Sequence, residues 1–134
     1  MKMLLVSHGK LAEGMKDVLA NFLAMGDVAT ASVSIDKGVD GLKEEVDKFL
    51  AGCEEGEQVV VCSDLLGGSP NQNVMPLASR PNTWLVTGMN LPLVMQLAMA
   101  GDVDHDRLQA IVGESRDAIL IVNDFHVVMD EDDE

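Results

Sequence analysis

Aromatic and basic residues are both scarce in this chain of 134 residues. It has no Tyr, one Trp and three Phe, so a site that stacks the ring of a flavin is poorly supplied with partners. Nine Lys and Arg stand against 23 Asp and Glu, which gives a formal net charge of −14. Nucleic-acid binding depends on clustered Lys and Arg, so a nucleic-acid partner is disfavoured. A protein partner with a basic patch fits this charge better.

Cysteines and long apolar runs are also few. Cys53 and Cys62 lie nine residues apart, which is not the Cys-x-x-Cys pattern of a zinc or redox site. The longest apolar stretch, Leu91 to Ala100, is interrupted by Pro92 and Gln96 and is far shorter than the roughly 20 residues of a membrane span. The apolar run near the N-terminus is too short for a signal peptide. We therefore expect a soluble, cytoplasmic protein.

The length and composition predict one folded domain. Apolar residues make up 47% of the chain and charged residues 24%, which excludes general disorder. The last five residues, 130–134, are all acidic, and adjacent like charges repel each other and bury nothing. We predict a single domain over residues 1–129 and an acidic, solubilising tail over 130–134.

Strand and helix patterns alternate along this domain. Strands are predicted at 3–6, 28–35, 58–63 and 83–87, and helices at 11–23, 39–50, from Ser69 onward, at 92–100 and at 106–115. Val59 to Cys62 is a continuous apolar run, typical of a central parallel strand covered on both faces. Pro76 is expected to kink or end the third helix. The pattern predicts an α/β fold with a doubly wound, mostly parallel sheet flanked by helices. Residues 118–122 and 125–129 predict a last apolar strand.

His8 follows the first strand after a single residue, Ser7, and precedes Gly9 and the first helix. The strand from Gln58 to Ser63 ends in a similar way, in Asp64 and the sequence Leu-Leu-Gly-Gly-Ser-Pro. In open α/β sheets, ligands and anions bind at the carboxyl edge, where such strand ends meet. We therefore expect His8 and Asp64 to face each other.

This pair suits reversible phosphoryl transfer. A neutral imidazole is a good nucleophile near pH 7, so His8 is the predicted phosphoryl acceptor and Asp64 the carboxylate that holds one ring N–H. Phosphoryl oxygens would be received at Gly67, Gly68 and Ser69, and at Gly9 before the first helix. Asp64 must then lie on the side of the ring away from the phosphate. Neither a metal nor a cofactor is expected.

Three further residues have alternative interpretations, and a fourth has one. Ser69 is an N-cap, a phosphate contact or both, and Asn90 either lines the site or makes a local turn. His105 lies among acidic residues and is a metal ligand or part of an acidic helix start. His126, in the predicted last strand, is interpreted as structural.

Two other functions compete with phosphoryl carriage. A hydrolase built from Ser69, His8 and Asp64 lacks the Gly-x-Ser-x-Gly elbow. A regulatory module, phosphorylated on the same histidine and recognised by a partner protein, differs from a carrier only in where the phosphate goes.

The motifs resemble those of a known family. They are Ser7-His8-Gly9, the run from Asp64 to Pro70, and the run from Gly88 to Pro92, and the likeness spans roughly residues 3–123. Together they resemble the enzyme IIA component of the mannose family of the bacterial phosphoenolpyruvate-dependent sugar phosphotransferase system.

The resemblance implies a function, partners and an assembly. His8 would accept a phosphoryl group from the carrier HPr and pass it to a histidine of enzyme IIB, with Asp64 as its partner and Ser69 as a phosphate contact. Since this chain ends in an acidic tail, enzyme IIB is expected to be a separate protein. The resemblance also implies a homodimer with an added antiparallel C-terminal strand, and a membrane sugar permease acting downstream.

Overall fold

The computed structural model describes residues 1–125. Four strands alternate with five helices and two short 3₁₀ segments: β1 Lys2–His8, α1 Leu11–Leu23, β2 Ala29–Val33, α2 Gly38–Ala51, β3 Val59–Ser63, α3 Ser69–Val74, a 3₁₀ segment Met75–Ser79, β4 Thr83–Thr87, α4 Leu91–Ala100, α5 His105–Asp117 and a 3₁₀ segment Val122–Asp124. The predicted alternation of strand and helix is confirmed.

The strands form one sheet in the order β2-β1-β3-β4, and all pairings between these strands are parallel. From β1 the chain goes to β2 on one side and then returns to β3 on the other side of β1. This reversal makes the carboxyl edge between β1 and β3 the topological switch point, where open α/β sheets place their ligands. The predicted α/β, mostly parallel fold is confirmed.

Alternate residues of the central strands supply two separate cores. In β1, Leu5 packs into the cluster shared with α1, α4 and α5, whereas Leu4 packs into the cluster shared with α2 and α3. In β3, Cys62 belongs to the first cluster and Val61 to the second. Burial of both faces explains the apolar run of β3. Rigid cores on both sides fix the positions of the two central strand ends.

Pro76 limits the length of α3, as predicted. The helix ends at Val74 and continues as a 3₁₀ segment that contains Pro76. A proline inside an α-helix removes one backbone hydrogen bond and clashes with the preceding turn. The helix therefore has only six residues.

The predicted C-terminal strand is wrong over residues 118–122. These residues pair with no strand of the described chain, and Val122–Asp124 form a 3₁₀ turn. Ile119 and Val122 are exposed, at 76% and 72%. An apolar sequence becomes a strand only where a partner takes up its backbone N–H and C=O groups, and within residues 1–125 the edge strand β4 pairs only with β3. The rest of the predicted strand, 126–129, and the tail 130–134 lie outside the described residues.

The helices are short. Within residues 1–125, none has both the length and the apolar character required to cross a bilayer.

Candidate active site

His8 is the last residue of β1, and Asp64 follows the last residue of β3 directly. The register pairs Val6 with Ser63, so the residues that follow these two leave the sheet side by side. The structure therefore brings together, at the switch point, the two residues that the sequence placed there.

The two side chains make a direct contact. Asp64 Oδ2 lies 2.9 Å from the ring nitrogen Nδ1 of His8 and also accepts the backbone N–H of His8 at 2.9 Å. The side chain of His8 is 49% exposed and that of Asp64 is 10% exposed. A carboxylate accepts hydrogen bonds and cannot donate them, so Nδ1 carries the proton and Nε2 has the free lone pair. The nucleophilic nitrogen points away from Asp64, on a ring that is half exposed.

Asp64 is held in its charged form. Burial by itself would raise its pKa, but the hydrogen bonds from the His8 amide and ring, together with the electrostatic attraction of that ring, outweigh burial and lower the pKa of Asp64 below its ordinary value. The second oxygen, Oδ1, is buried and has no hydrogen-bond partner among the described residues. Among the described residues, the side-chain carboxylate therefore accepts its hydrogen bonds from His8.

The glycine-rich loop lies against the ring of His8. Gly67 has a φ of +77°, a backbone conformation that favours glycine. A Cβ on Gly68 would lie 2.9 Å from Cε1 of His8, which is closer than side-chain carbons approach. Only glycine allows the loop backbone this close to the imidazole.

The backbone amides of the three glycines that were predicted to bind phosphate all have hydrogen-bond partners within the protein. The N–H of Gly9 donates to the carbonyl of Val33 at 2.9 Å, and that of Gly68 donates to the carbonyl of Leu65 at 3.0 Å. The N–H of Gly67 donates to Oδ1 of Asn71 at 3.0 Å. These three amides support the loops around His8.

Ser69 differs from the three glycines. It is the first residue of α3, Gly68 is the capping residue, and no side chain caps the helix. The N-cap interpretation of Ser69 is therefore wrong. Among residues 1–125, its hydroxyl makes no hydrogen bond within the protein, and the residue is partly exposed beside Gly68. The hydroxyl of Ser69 is free to contact a ligand.

The geometry agrees with a family match over most of the chain. The family model of the PTS system fructose IIA component, EIIA-man, where PTS stands for phosphotransferase system, matches residues 2–115. The chain belongs to this family. The family resemblance found in the sequence motifs is confirmed.

Several solved structures share the fold of this EIIA-man protein, and three of them follow. The PTS IIA protein associated with the fucose utilization operon from Streptococcus pneumoniae is 27% identical, with a TM-score of 0.73 over 92% of this chain and 93% of that chain. The mannose/sorbose specific IIA subunit of the phosphotransferase system from Enterococcus faecalis is 24% identical, with a TM-score of 0.77 over 90% and 92%. Phosphotransferase system component EIIA from Streptococcus agalactiae is 18% identical, with a TM-score of 0.77 over 92% and 98%. None of the curated proteins matches the chain significantly.

Asn90 has a structural role in this EIIA-man protein. Its Oδ1 accepts the N–H of Leu93 at 3.0 Å and caps α4, and its Nδ2 donates to the carbonyl of Ser115 at 2.7 Å. Both ends of the side chain are occupied, which confirms the local-turn interpretation.

His105 is also accounted for by local packing. It is the first residue of α5, and its ring centroid lies 5.7 Å from that of Trp84. Asp104 caps the same helix by accepting the N–H of Arg107, which agrees with an acidic helix start. In the part of the chain that the structure describes, no three His, Cys, Asp or Glu residues could hold a metal ion together. His126 lies outside this part.

Polar residues that the sequence reasoning missed support the site of this EIIA-man protein. Ser7 is buried, and its Oγ accepts the N–H of Ala12, which fastens the start of α1 to the end of β1. Ser63 and Asn71 are buried beneath the glycine-rich loop. The two serines could have been noticed as polar residues that end apolar strands. Asn71 had no such signal, because the sequence does not show that its side chain turns inward to bond Gly67, four residues earlier, and Ser63.

Proposed function

We propose that this protein is a phosphoryl carrier of a sugar phosphotransferase system. His8 accepts a phosphoryl group from phospho-HPr and passes it to a separate enzyme IIB protein. The observation that carries the proposal is the His8–Asp64 pair at the switch point, which holds Nδ1 and leaves Nε2 free on a half-exposed ring. Family membership supports a role in a phosphotransferase system. The geometry supports Nε2 of His8 as the atom that accepts the phosphoryl group.

The transfer step follows from this arrangement. The lone pair of Nε2 attacks phosphorus, a new P–N bond forms, and the P–N bond to the donor histidine of HPr breaks with its electron pair on the donor ring. The proton stays on Nδ1, where the Asp64 carboxylate stabilises the positive charge of the phosphorylated ring. In the second step a histidine of enzyme IIB attacks the same phosphorus, and His8 is the leaving group.

The phosphoryl group is proposed to lie between the ring and the start of α3. Ser69 supplies a free hydroxyl there, and Gly9, Gly67 and Gly68 line the place with backbone that carries no side chain. Asp64 lies on the Nδ1 side of the ring. Its negative charge therefore does not meet the phosphoryl oxygens arriving at Nε2.

An exposed apolar rim supports the proposal that the donor and the acceptor of the phosphoryl group are proteins. The rim consists of Leu11, Ile35, Leu65 and Leu66, all exposed and all in segments at the carboxyl edge of the sheet. Leu66 is 73% exposed. Clustered apolar side chains on a surface mark protein interaction sites. A half-exposed histidine within such a rim suits a docking protein better than an enclosed small substrate.

The proposal includes a homodimer and a cytoplasmic location. Pairing between two subunits would cover the exposed apolar residues after α5, such as Ile119 and Val122. It would also cover the edge of β4 that has no partner strand in the described chain. The location follows from the proposed partner HPr, and transport itself would belong to a membrane permease.

A reconstituted phosphoryl chain tests the proposal. Intact mass after incubation with phosphoenolpyruvate, enzyme I and HPr is expected to rise by one phosphoryl group, and the gain should require HPr. Addition of a cognate enzyme IIB should remove it. Absence of any gain would overturn the proposal. A gain that no enzyme IIB removes would contradict the carrier role and favour the regulatory module.

A further inference from the structure

Asn71 is a buried polar residue that the proposed transfer step does not use. It is the third residue of α3 and is 6% exposed. Its Oδ1 accepts the N–H of Gly67 at 3.0 Å, and its Nδ2 donates to Oγ of Ser63 at 3.0 Å. Burial of a side-chain amide is costly unless its polar atoms are bonded. Both ends of this amide are bonded, one to the loop and one to the sheet.

The sheet end of the connection is rigid. Ser63 is the last residue of β3 and is fully buried, and its Oγ donates to Oγ1 of Thr87 at 2.8 Å. Thr87 pairs with Ser63 in the register of β3 and β4. The Gly67 amide is thus linked through Asn71 and Ser63 to two adjacent strand ends.

The loop end of the connection reaches the imidazole. The carbonyl of Gly67 accepts Nε2–H of Gln72 at 2.7 Å, so side chains of α3 hold both the backbone N–H and the backbone C=O of Gly67. The next residue, Gly68, is the one at which an added Cβ would lie 2.9 Å from Cε1 of His8. A displacement of the Gly67 peptide would therefore move the backbone that touches the ring.

We infer that Asn71 is a positioning residue for phosphoryl transfer. It ties the glycine-rich loop to the sheet, which keeps Gly68 against the His8 ring and Ser69 beside the place of the phosphoryl group. The inference rests on the proposed function. Reacting groups must be held within a fraction of an ångström, because a misplacement of about 1 Å costs roughly 100-fold in rate. An apolar residue at position 71 would fill the space but leave the Gly67 N–H without an acceptor.

The variant Asn71→Ala tests this role in phosphoryl transfer from HPr. We expect kcat to fall about 10- to 100-fold, the range found when hydrogen-bonding groups that orient metal ligands are removed. KM for phospho-HPr should stay within about twofold, because the docking rim is retained. The matched control is Asn73→Ala on the same helix, since the Asn73 side chain bonds the carbonyl of Ser69 and not Gly67. Its kcat should stay within about twofold of the wild type.

A second readout does not depend on transfer. The Cε1–H proton resonance of His8 reports the backbone that packs on it, and the chain has only three His. Asn71→Ala should shift this resonance and leave that of His105 in place, whereas Asn73→Ala should shift neither. If the wild type accepts no phosphoryl group, the proposed function fails, and this resonance still decides whether Asn71 positions the loop.

Ser63→Ala keeps the test decisive if Asn71→Ala does not fold. It removes the group that anchors Asn71 to the sheet and keeps the bond between Asn71 and Gly67. We therefore expect a smaller loss of kcat than in Asn71→Ala, and a smaller shift of the His8 resonance in the same direction. The double variant should be no slower than Asn71→Ala, because both changes act through one connection. Wild-type kcat and an unmoved His8 resonance in the folded variant, or additive losses in the double variant, would overturn the inference.

Discussion

One oxygen of Asp64, Oδ2, accepts two hydrogen bonds from a single residue, the backbone N–H and the ring Nδ1–H of His8, both at 2.9 Å. The first bond fixes the end of β1 relative to the end of β3, and the second fixes the orientation and tautomer of the ring. A single carboxylate oxygen thus joins two central strands and selects Nε2 as the nucleophile.

The acceptor is expected to be His8 alone. His8→Ala should abolish an acid-labile, alkali-stable gain in intact mass after incubation with phosphoenolpyruvate, enzyme I and HPr, because no other described histidine has a carboxylate on one ring nitrogen. His105→Ala should keep the gain, since His105 packs against Trp84 away from this pair. His126→Ala should also keep it. Persistent labelling of the His8 variant would refute the assignment.

Asp64→Asn is expected to slow transfer while the fold is kept. The amide could still accept from His8 through its oxygen, but its NH₂ would then occupy the buried position of Oδ1, where no acceptor is described. It also lacks the charge that stabilises the phosphorylated ring. We expect a loss of about 100- to 1,000-fold in the transfer rate, as for other preorganised polar groups. Single-turnover transfer from phospho-HPr measures this.

The exposed Asp36, in the loop after β2, offers a control with the same change of charge. Asp36→Asn should transfer at close to the wild-type rate. A wild-type rate in Asp64→Asn would show that Asp64 only shapes the turn.

Acid should remove the stability that Asp64 contributes. Its folded pKa is lowered, so the contribution is complete above the ordinary aspartate pKa of about 3.9 and is lost as pH falls through the lower, folded value. The wild type should therefore be more stable than Asp64→Asn at pH 7, and the gap should narrow below about pH 4. Urea unfolding at a series of pH values measures the gap. A gap that stays constant down to the acid transition would contradict the assigned shift.

Residues after α5 are expected to support a dimer. A groove of about 530 Å³ runs between the edge strand β4 and α5, close in sequence to the exposed apolar residues that begin at Ile119. Deletion of residues 130–134 should leave a dimer in light scattering, since five acidic residues bury little. Truncation before Ala118 should give monomer or aggregate. A stable monomer of the full chain at micromolar concentration would refute the dimer and leave the phosphorylation chemistry untouched.

The sequence by itself determined the order of strands and helices and the place where His8 and Asp64 meet. Periods of two and of 3.6 residues follow from local backbone geometry, so apolar spacing was enough to place β1, β3 and the helices. His8 and Asp64 were found because parallel strands end at a common edge, a rule that needs no coordinates.

Tertiary structure decided which groups have partners. The amides of Gly9 and Gly67 were predicted to hold phosphate, yet they donate to the carbonyl of Val33, which lies in a different strand, and to the side chain of Asn71, which the folded start of α3 turns toward the loop. The apolar segment that begins at Ala118 has strand composition but no strand partner within the described chain. Strand pairing and hydrogen bonds such as that between Gly9 and Val33 depend on distances between residues far apart in sequence, and only the folded chain sets those distances.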